Sequence, residues 1–137
     1  MATPRKLNIA CYTYPYGGNG GISSVHPDVM MWFLKTLPKA SRDPRVGFVQ
    51  MGCISDTPIP MVRNCSIVEA RKIGADLLLC VDSDMSPDKY LGMETRAKPF
   101  FETAFDFIYE RWEKGPNLVA APYCCPPGID APGAQFS

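Results

Sequence analysis

A chain of 137 residues, 46% hydrophobic and 20% charged, is long enough to fold as one domain around a single core without disulfide or metal staples. Its 14 basic and 14 acidic residues cancel, which argues against partners held by bulk charge, nucleic acid and anionic lipid among them. The longest apolar stretch, residues 77–81, is far shorter than the ~20 residues of a membrane span, and the opening "MATPRKLN" lacks the apolar run of a signal peptide. A cytoplasmic chain with no membrane span is therefore expected.

Residues 7–12, "LNIACY", read as a strand, followed by the glycine-rich loop "TYPYGGNGGISS". From Pro27 the apolar residues Met30, Phe33, Leu34 and Leu37 follow helical spacing; Pro27 and Asp28 suit a first turn, and Pro38 is the expected stop. Residues 46–51, "VGFVQM", are a second strand. A second helix is expected over 60–75, with Met61, Cys65 and Val68 on one face and Gly74 as its C-terminal cap. Residues 77–81 are apolar at every position, which predicts a strand buried on both faces. A third helix over 99–114 carries the stripe Phe101, Ala104, Phe105, Ile108 and Trp112, with Gly115 and Pro116 closing it, and residues 118–121 are the expected fourth strand.

The order β-α-β-α-β-α-β predicts an α/β fold: a mostly parallel sheet flanked by helices, Rossmann-like in its connections. Composition divides the chain into an α/β domain over 1–123 and a Pro/Gly-rich tail over 124–137. The six cysteines show neither CxxC spacing nor a nearby histidine pair, so buried free thiols are expected, with the pair Cys124 and Cys125 left open. "GGNGG" has neither the Lys-Ser/Thr of a P-loop nor GxGxxG spacing and reads as a flap. His26, the only histidine, precedes a proline at a helix start and reads as structural.

The stretch "LLLCVDSDMSP", residues 77–87, ends a strand on two aspartates. Ligands of open parallel sheets bind at the carboxyl ends of the strands. If the chain stays extended there, Asp82 and Asp84 point to one side and Ser83 to the other. Two adjacent carboxylates repel unless a cation intervenes, and magnesium commonly takes only one or two protein carboxylates, completing its shell with water and substrate phosphates. The plainer alternative is that these aspartates cap the turn that follows.

"VRNCSIVEARKIGADLLLCVDSDM", residues 62–85, resembles glycosyltransferases of the GT-A fold, in which a helix with an Arg-Asn pair leads through "GAD" into an apolar strand ending in DxD. The resemblance extends to the first strand and its loop, to "SDTPIPMVRN" and to "LVAAPYCCPP", and so covers residues 7–127. It implies a GT-A nucleotide-binding half and a nucleotide-diphosphate sugar donor, with Mn²⁺ or Mg²⁺ held by Asp82 and Asp84, and transfer of the sugar to an acceptor of unknown identity. By position it places Thr13 and Tyr14 against the nucleotide, Asp56 at the base or ribose, and Arg63, Asn64 and Asp82 on the nucleotide and diphosphate side.

Each of these residues has a structural alternative: Arg63 as ion-pair partner of Asp56 or Glu69, Asn64 as a first-turn polar residue, Tyr14 and Tyr16 as cover for the core edge. Such enzymes usually continue into an acceptor-binding half that supplies the catalytic base, and no base is identified in this sequence. Two other functions compete: a non-catalytic nucleotide-binding module, and a haloacid-dehalogenase-like phosphatase, whose DxDx[TS] signature "VDSDMS" also resembles and in which Asp82 would be the nucleophile.

Overall fold

The computed structural model describes residues 5–17, 23–54, 59–88, 98–120, 124–125 and 135–136. The described elements are, in chain order, β1 (Leu7–Tyr14), β2 (Tyr16–Gly17), β3 (Ser23–Ser24), α1 (Pro27–Arg42), β4 (Val46–Cys53), α2 (Ile59–Lys72), β5 (Leu77–Asp82), α3 (Phe100–Glu110), a 3₁₀ turn (Trp112–Lys114), β6 (Cys124–Cys125) and β7 (Gln135–Phe136). The chain divides into two compact units, Met1–Lys89 and Tyr90–Ser137.

The first unit is a three-stranded, all-parallel sheet of order β4-β1-β5, flanked by helices in the Rossmann-like manner. The crossover from β1 through α1 to β4 runs one way across the sheet, and that from β4 through α2 to β5 runs back past β1. Right-handed crossovers in opposite directions place α1 and α2 on opposite faces. Alternation along β1 supplies both cores. Ala10, Tyr12 and Tyr14 pack with Val62 and Ala70 of α2, while Leu7, Ile9, Cys11 and Thr13, all nearly or fully buried, turn to the other face. Gly52 lies opposite Tyr12 in the β1/β4 ladder, and a Cβ there would sit 2.9 Å from the Tyr12 ring, so only glycine lets that ring cross β4.

Three hydrogen bonds fasten the start of β5 to the start of β1. The Asn8 amide donates to Asp76 Oδ2 (2.8 Å), the Asp76 amide to the Asn8 carbonyl (2.8 Å), and the Asn8 side-chain amide to the Gly74 carbonyl (3.3 Å). Gly74, at φ 76°, ends α2 as expected. Its amide bonds back to Arg71 O (3.2 Å) and that of Ala75 to Ala70 O (2.9 Å), the two bonds of a Schellman motif.

Several sequence expectations are corrected. Pro38 lies inside α1 and does not stop it. A single proline costs one intrahelical bond, whereas Asp43 is forced into the extended region (ψ 127°) by Pro44, and there the helix ends. The buried face of α2 is Val62, Ser66 and Ala70; Met61, Cys65 and Val68 are exposed. β5 is not buried on both faces, since Leu78 and Cys80 are exposed on a sheet edge. Cys11, Cys53, Cys65 and Cys80 are free thiols, but of these only Cys11 is buried; Cys53, Cys65 and Cys80 are exposed.

In the second unit, Phe105 is buried between Phe101, stacked at 5.7 Å, and Tyr109 at 5.9 Å. Residues 118–120 carry no strand pairing and Leu118 is 93% exposed, so the expected fourth strand does not form over these described residues. A four-residue apolar run has no stability as a strand without a ladder to join. Within the tail, β6 and β7 form a short antiparallel pair. No helix among the described residues is long and apolar enough to cross a membrane.

Candidate ligand-binding site

The strand order β4-β1-β5 reverses direction between β1 and β5, which makes the gap beyond their carboxyl ends the topological switch point where open α/β sheets bind ligands. Tyr14, the last residue of β1, lies in register with Asp82, the last residue of β5. Arg63 reaches this point from α2. Its Nη2 donates to Asp82 Oδ1 at 2.9 Å, and its guanidinium carbon lies 5.6 Å from the Tyr14 ring centroid, within cation–π range. Among the described residues its ion-pair partner is Asp82 and not Glu69; a pairing with Asp56 lies outside the described residues.

Beneath Arg63 the polar contacts continue inward. Ser66, fully buried, donates its one hydroxyl proton to the Val62 carbonyl (2.9 Å). The Tyr14 hydroxyl, 2.8 Å from Ser66 Oγ, must therefore be the donor of their bond. Burial, and then the adjoining Cys80 thiol, push the Tyr14 phenol above its ordinary pKa, against the opposing pull of the Ser66 bond and the Arg63 charge. The result is a neutral tyrosine whose hydroxyl is committed to the protein interior.

The segment after β5 is fastened to the start of α1. The His26 amide donates to Ser83 O (2.8 Å), Trp32 Nε1 to Asp88 Oδ2 (2.9 Å) and Ser86 Oγ to Asp28 O (3.2 Å). His26 itself caps α1, its Nδ1 accepting from the Asp28 amide at 3.1 Å, the structural role its position suggested. The strand ends at Asp82 and the chain turns at once, with the Met85 amide bonded to Asp82 O at 3.4 Å. The extended backbone that would align Asp82 with Asp84 is thus replaced by a turn. Ser83 is buried and Asp84 exposed.

The structure brings Tyr14, Arg63 and Asp82 together. Asn64, next to Arg63 on α2, is exposed. Thr13 is fully buried and by alternation faces away from Tyr14, so in this conformation it offers no surface to a ligand; its hydroxyl has no hydrogen-bond partner among the described residues. Asp56 and the Tyr16 side chain lie outside the described residues. Ser66 was not anticipated, because a serine in a helix carries no sign of burial; its i, i+4 spacing from Val62 and Ala70 was the available signal.

A groove of about 390 Å³ between α1 and β4, lined by Met30, Phe33, Leu34, Leu37, Val49 and Met51 among others, is a separate feature. Its apolar walls offer nothing to a phosphate. Fold and site define an α/β chain with a charged cluster at the switch point of a parallel sheet. No family model, curated protein or solved structure matches the chain.

Proposed function

We propose that this chain is the donor-binding part of a GT-A-type glycosyltransferase, which holds a nucleotide-diphosphate sugar at the carboxyl end of the sheet for transfer of the sugar to an acceptor. The observation that carries the reading is the meeting of Arg63 and Asp82 at the switch point, on the residues that the motif resemblance selects. A guanidinium is suited to phosphate oxygens, because its planar fork presents several donors at fixed angles. Arg63 uses one arm on Asp82, and its Nε and Nη1 have no protein partner among the described residues.

Oxygen ligands suit Mn²⁺ or Mg²⁺. Among the described residues no three His, Cys, Asp or Glu side chains converge to make an all-protein cage. Asp82, about a quarter exposed, with Asp84 two residues on, fits instead an ion whose shell is completed by water and the donor's phosphates. When bound, such an ion supplies Lewis-acid stabilisation of the charge on the leaving diphosphate. The chain's own share is to place Arg63 against that charge and to hold Asp82 at the strand end.

Calorimetric titration of UDP, GDP, CDP and dTDP in the presence of MnCl₂ tests the proposal. Binding of one of them, abolished by Asp82→Ala and weakened by Asp84→Ala, is expected. Absence of binding by all four, or binding indifferent to both substitutions, refutes it. Binding without donor hydrolysis or transfer identifies a non-catalytic nucleotide module, and a phosphoaspartate trapped on Asp82 identifies the phosphatase chemistry.

A further inference from the structure

An exposed arginine on a helix surface ordinarily samples many rotamers, and ordering it on ligand binding costs affinity. Arg63 is already ordered from two sides. Asp82 takes its Nη2, and the face of Tyr14 lies under its guanidinium. The Tyr14 ring is in turn fixed at its far end, where the hydroxyl donates to the buried Ser66. We propose that Tyr14 and Ser66 are positioning residues for Arg63, which they hold as the receptor for the diphosphate, and that Tyr14 is not a stacking surface for the nucleotide base.

Three observations carry this assignment, which rests on the proposed donor site. Tyr14 is only 8% exposed, too covered to offer a ring face to a base. The described neighbour over its ring is the Arg63 guanidinium. Its hydroxyl, the only hydrogen-bonding group it could offer a ligand, is spent on Ser66, whose own proton is spent on Val62 O. An aromatic residue at the end of the first strand thus acts on the ligand through the cation it carries. The cost of ordering that cation is met in folding and not in binding, which is how a preorganised group gains affinity.

The test compares UDP, or whichever of the four diphosphates the wild type binds, with inorganic pyrophosphate, both titrated in MnCl₂. A residue that positions Arg63 acts on the phosphates, so Tyr14→Leu is expected to weaken both ligands by the same factor, about fivefold, equivalent to about 1 kcal/mol. Tyr14→Phe keeps the ring and is expected to stay within about twofold of wild type. In an Arg63→Gln background, Tyr14→Leu is expected to have no further effect on either ligand.

A loss confined to the nucleotide, with pyrophosphate unchanged, makes Tyr14 a base contact and overturns the proposal. Losses that add independently in the double variant overturn it too, since a general disturbance of the fold would not depend on Arg63. If Tyr14→Leu does not fold, Ser66→Ala carries the same comparison, with a loss of about twofold expected on both ligands and none in the Arg63→Gln background. Failure of wild-type protein to bind any of the diphosphates overturns the donor site itself, a result distinguishable from diphosphate binding that ignores Tyr14.

Discussion

Replacing Ser66 by alanine removes a single oxygen atom from a fully buried position, yet it is expected to cost far more than its volume. The Val62 carbonyl accepts the Ser66 hydroxyl in addition to the ordinary helical bond, so that contact is secondary. The Tyr14 hydroxyl is different. Its ring lies under Arg63, and the hydroxyl's 2.8 Å bond to Ser66 is the described outlet for its proton. A buried donor left without an acceptor costs about 1–3 kcal/mol, against about 1 kcal/mol for a typical bond removed with both partners.

Ser66→Ala should therefore destabilise by about 2 kcal/mol, and Tyr14→Phe, which leaves Ser66 still bonded to Val62, by about 1 kcal/mol. The double variant leaves no orphan, should cost about 1 kcal/mol, and so should fall about 2 kcal/mol short of the sum of the two. Urea unfolding followed by far-ultraviolet circular dichroism measures all four proteins, with the m-value checking that the unfolded state is unchanged. Strict additivity would show that the two hydroxyls do not interact, and would remove the basis for regarding Tyr14 as pinned.

Gly74→Ala is expected to destabilise by about 1 kcal/mol, because φ 76° disfavours a Cβ although nothing lies within 4 Å of one, and Gly74→Asn by less, both read from urea midpoints. Asp43, held below the usual carboxylate range mainly by its hydrogen bonds from Arg45, contributes stability that is present above the ordinary carboxylate pKa of about 3.9 and lost as pH falls through its lower folded value. The stability gap between wild type and Asp43→Ala should thus be largest near neutrality and close as the solution is acidified below about pH 4; a gap constant down to pH 2 refutes the pairing. Alkylation of native protein followed by mass spectrometry should label Cys53, Cys65 and Cys80 and spare Cys11, whose thiol burial pushes up and shields. Labelling of Cys11 at the same rate as the others would show that the sheet opens.

The parallel α/β frame was legible because its signals are local and redundant. The apolar runs at 7–12 and 46–51 had no competing helical period, and Gly74 announced the end of α2 by a backbone requirement that few other residues meet. The errors arose where apolar content stood in for burial. On α2 apolar content points to the face of Met61, Cys65 and Val68, yet Val62, Ser66 and Ala70 are inside, because a serine with two hydrogen-bond partners is admitted to a core that an unpaired one is not. Pro38 had the right residue type for a stop but not the right neighbour: what ended α1 was the effect of Pro44 on Asp43.

The site was partly legible. Asp82 and Arg63 were named from the motif, but their bond to each other was not, since sequence places residues 19 apart on different elements without fixing which side chains meet. The turn at Ser83 and Asp84 was hidden for the same reason that it exists: the residues after a strand can continue it or leave it, and here hydrogen bonds to the start of α1, far off in sequence, accompany the turn.

The fastening of Asn8 to Gly74 and Asp76 has a bearing on chemistry it never touches. A parallel strand that slips by one residue exchanges its faces. Such a slip in β5 would carry Asp82 away from Arg63 and put Val81 in its place, removing the charge from the switch point while every catalytic-looking residue remained in the sequence. Asn8 and Asp76 hold that register from the opposite end of the strand, about 20 Å from the carboxylate by the rise of an extended chain. Variants at half-buried Asn8 and exposed Asp76, both chemically unremarkable, would therefore read in a binding assay as lesions of the site.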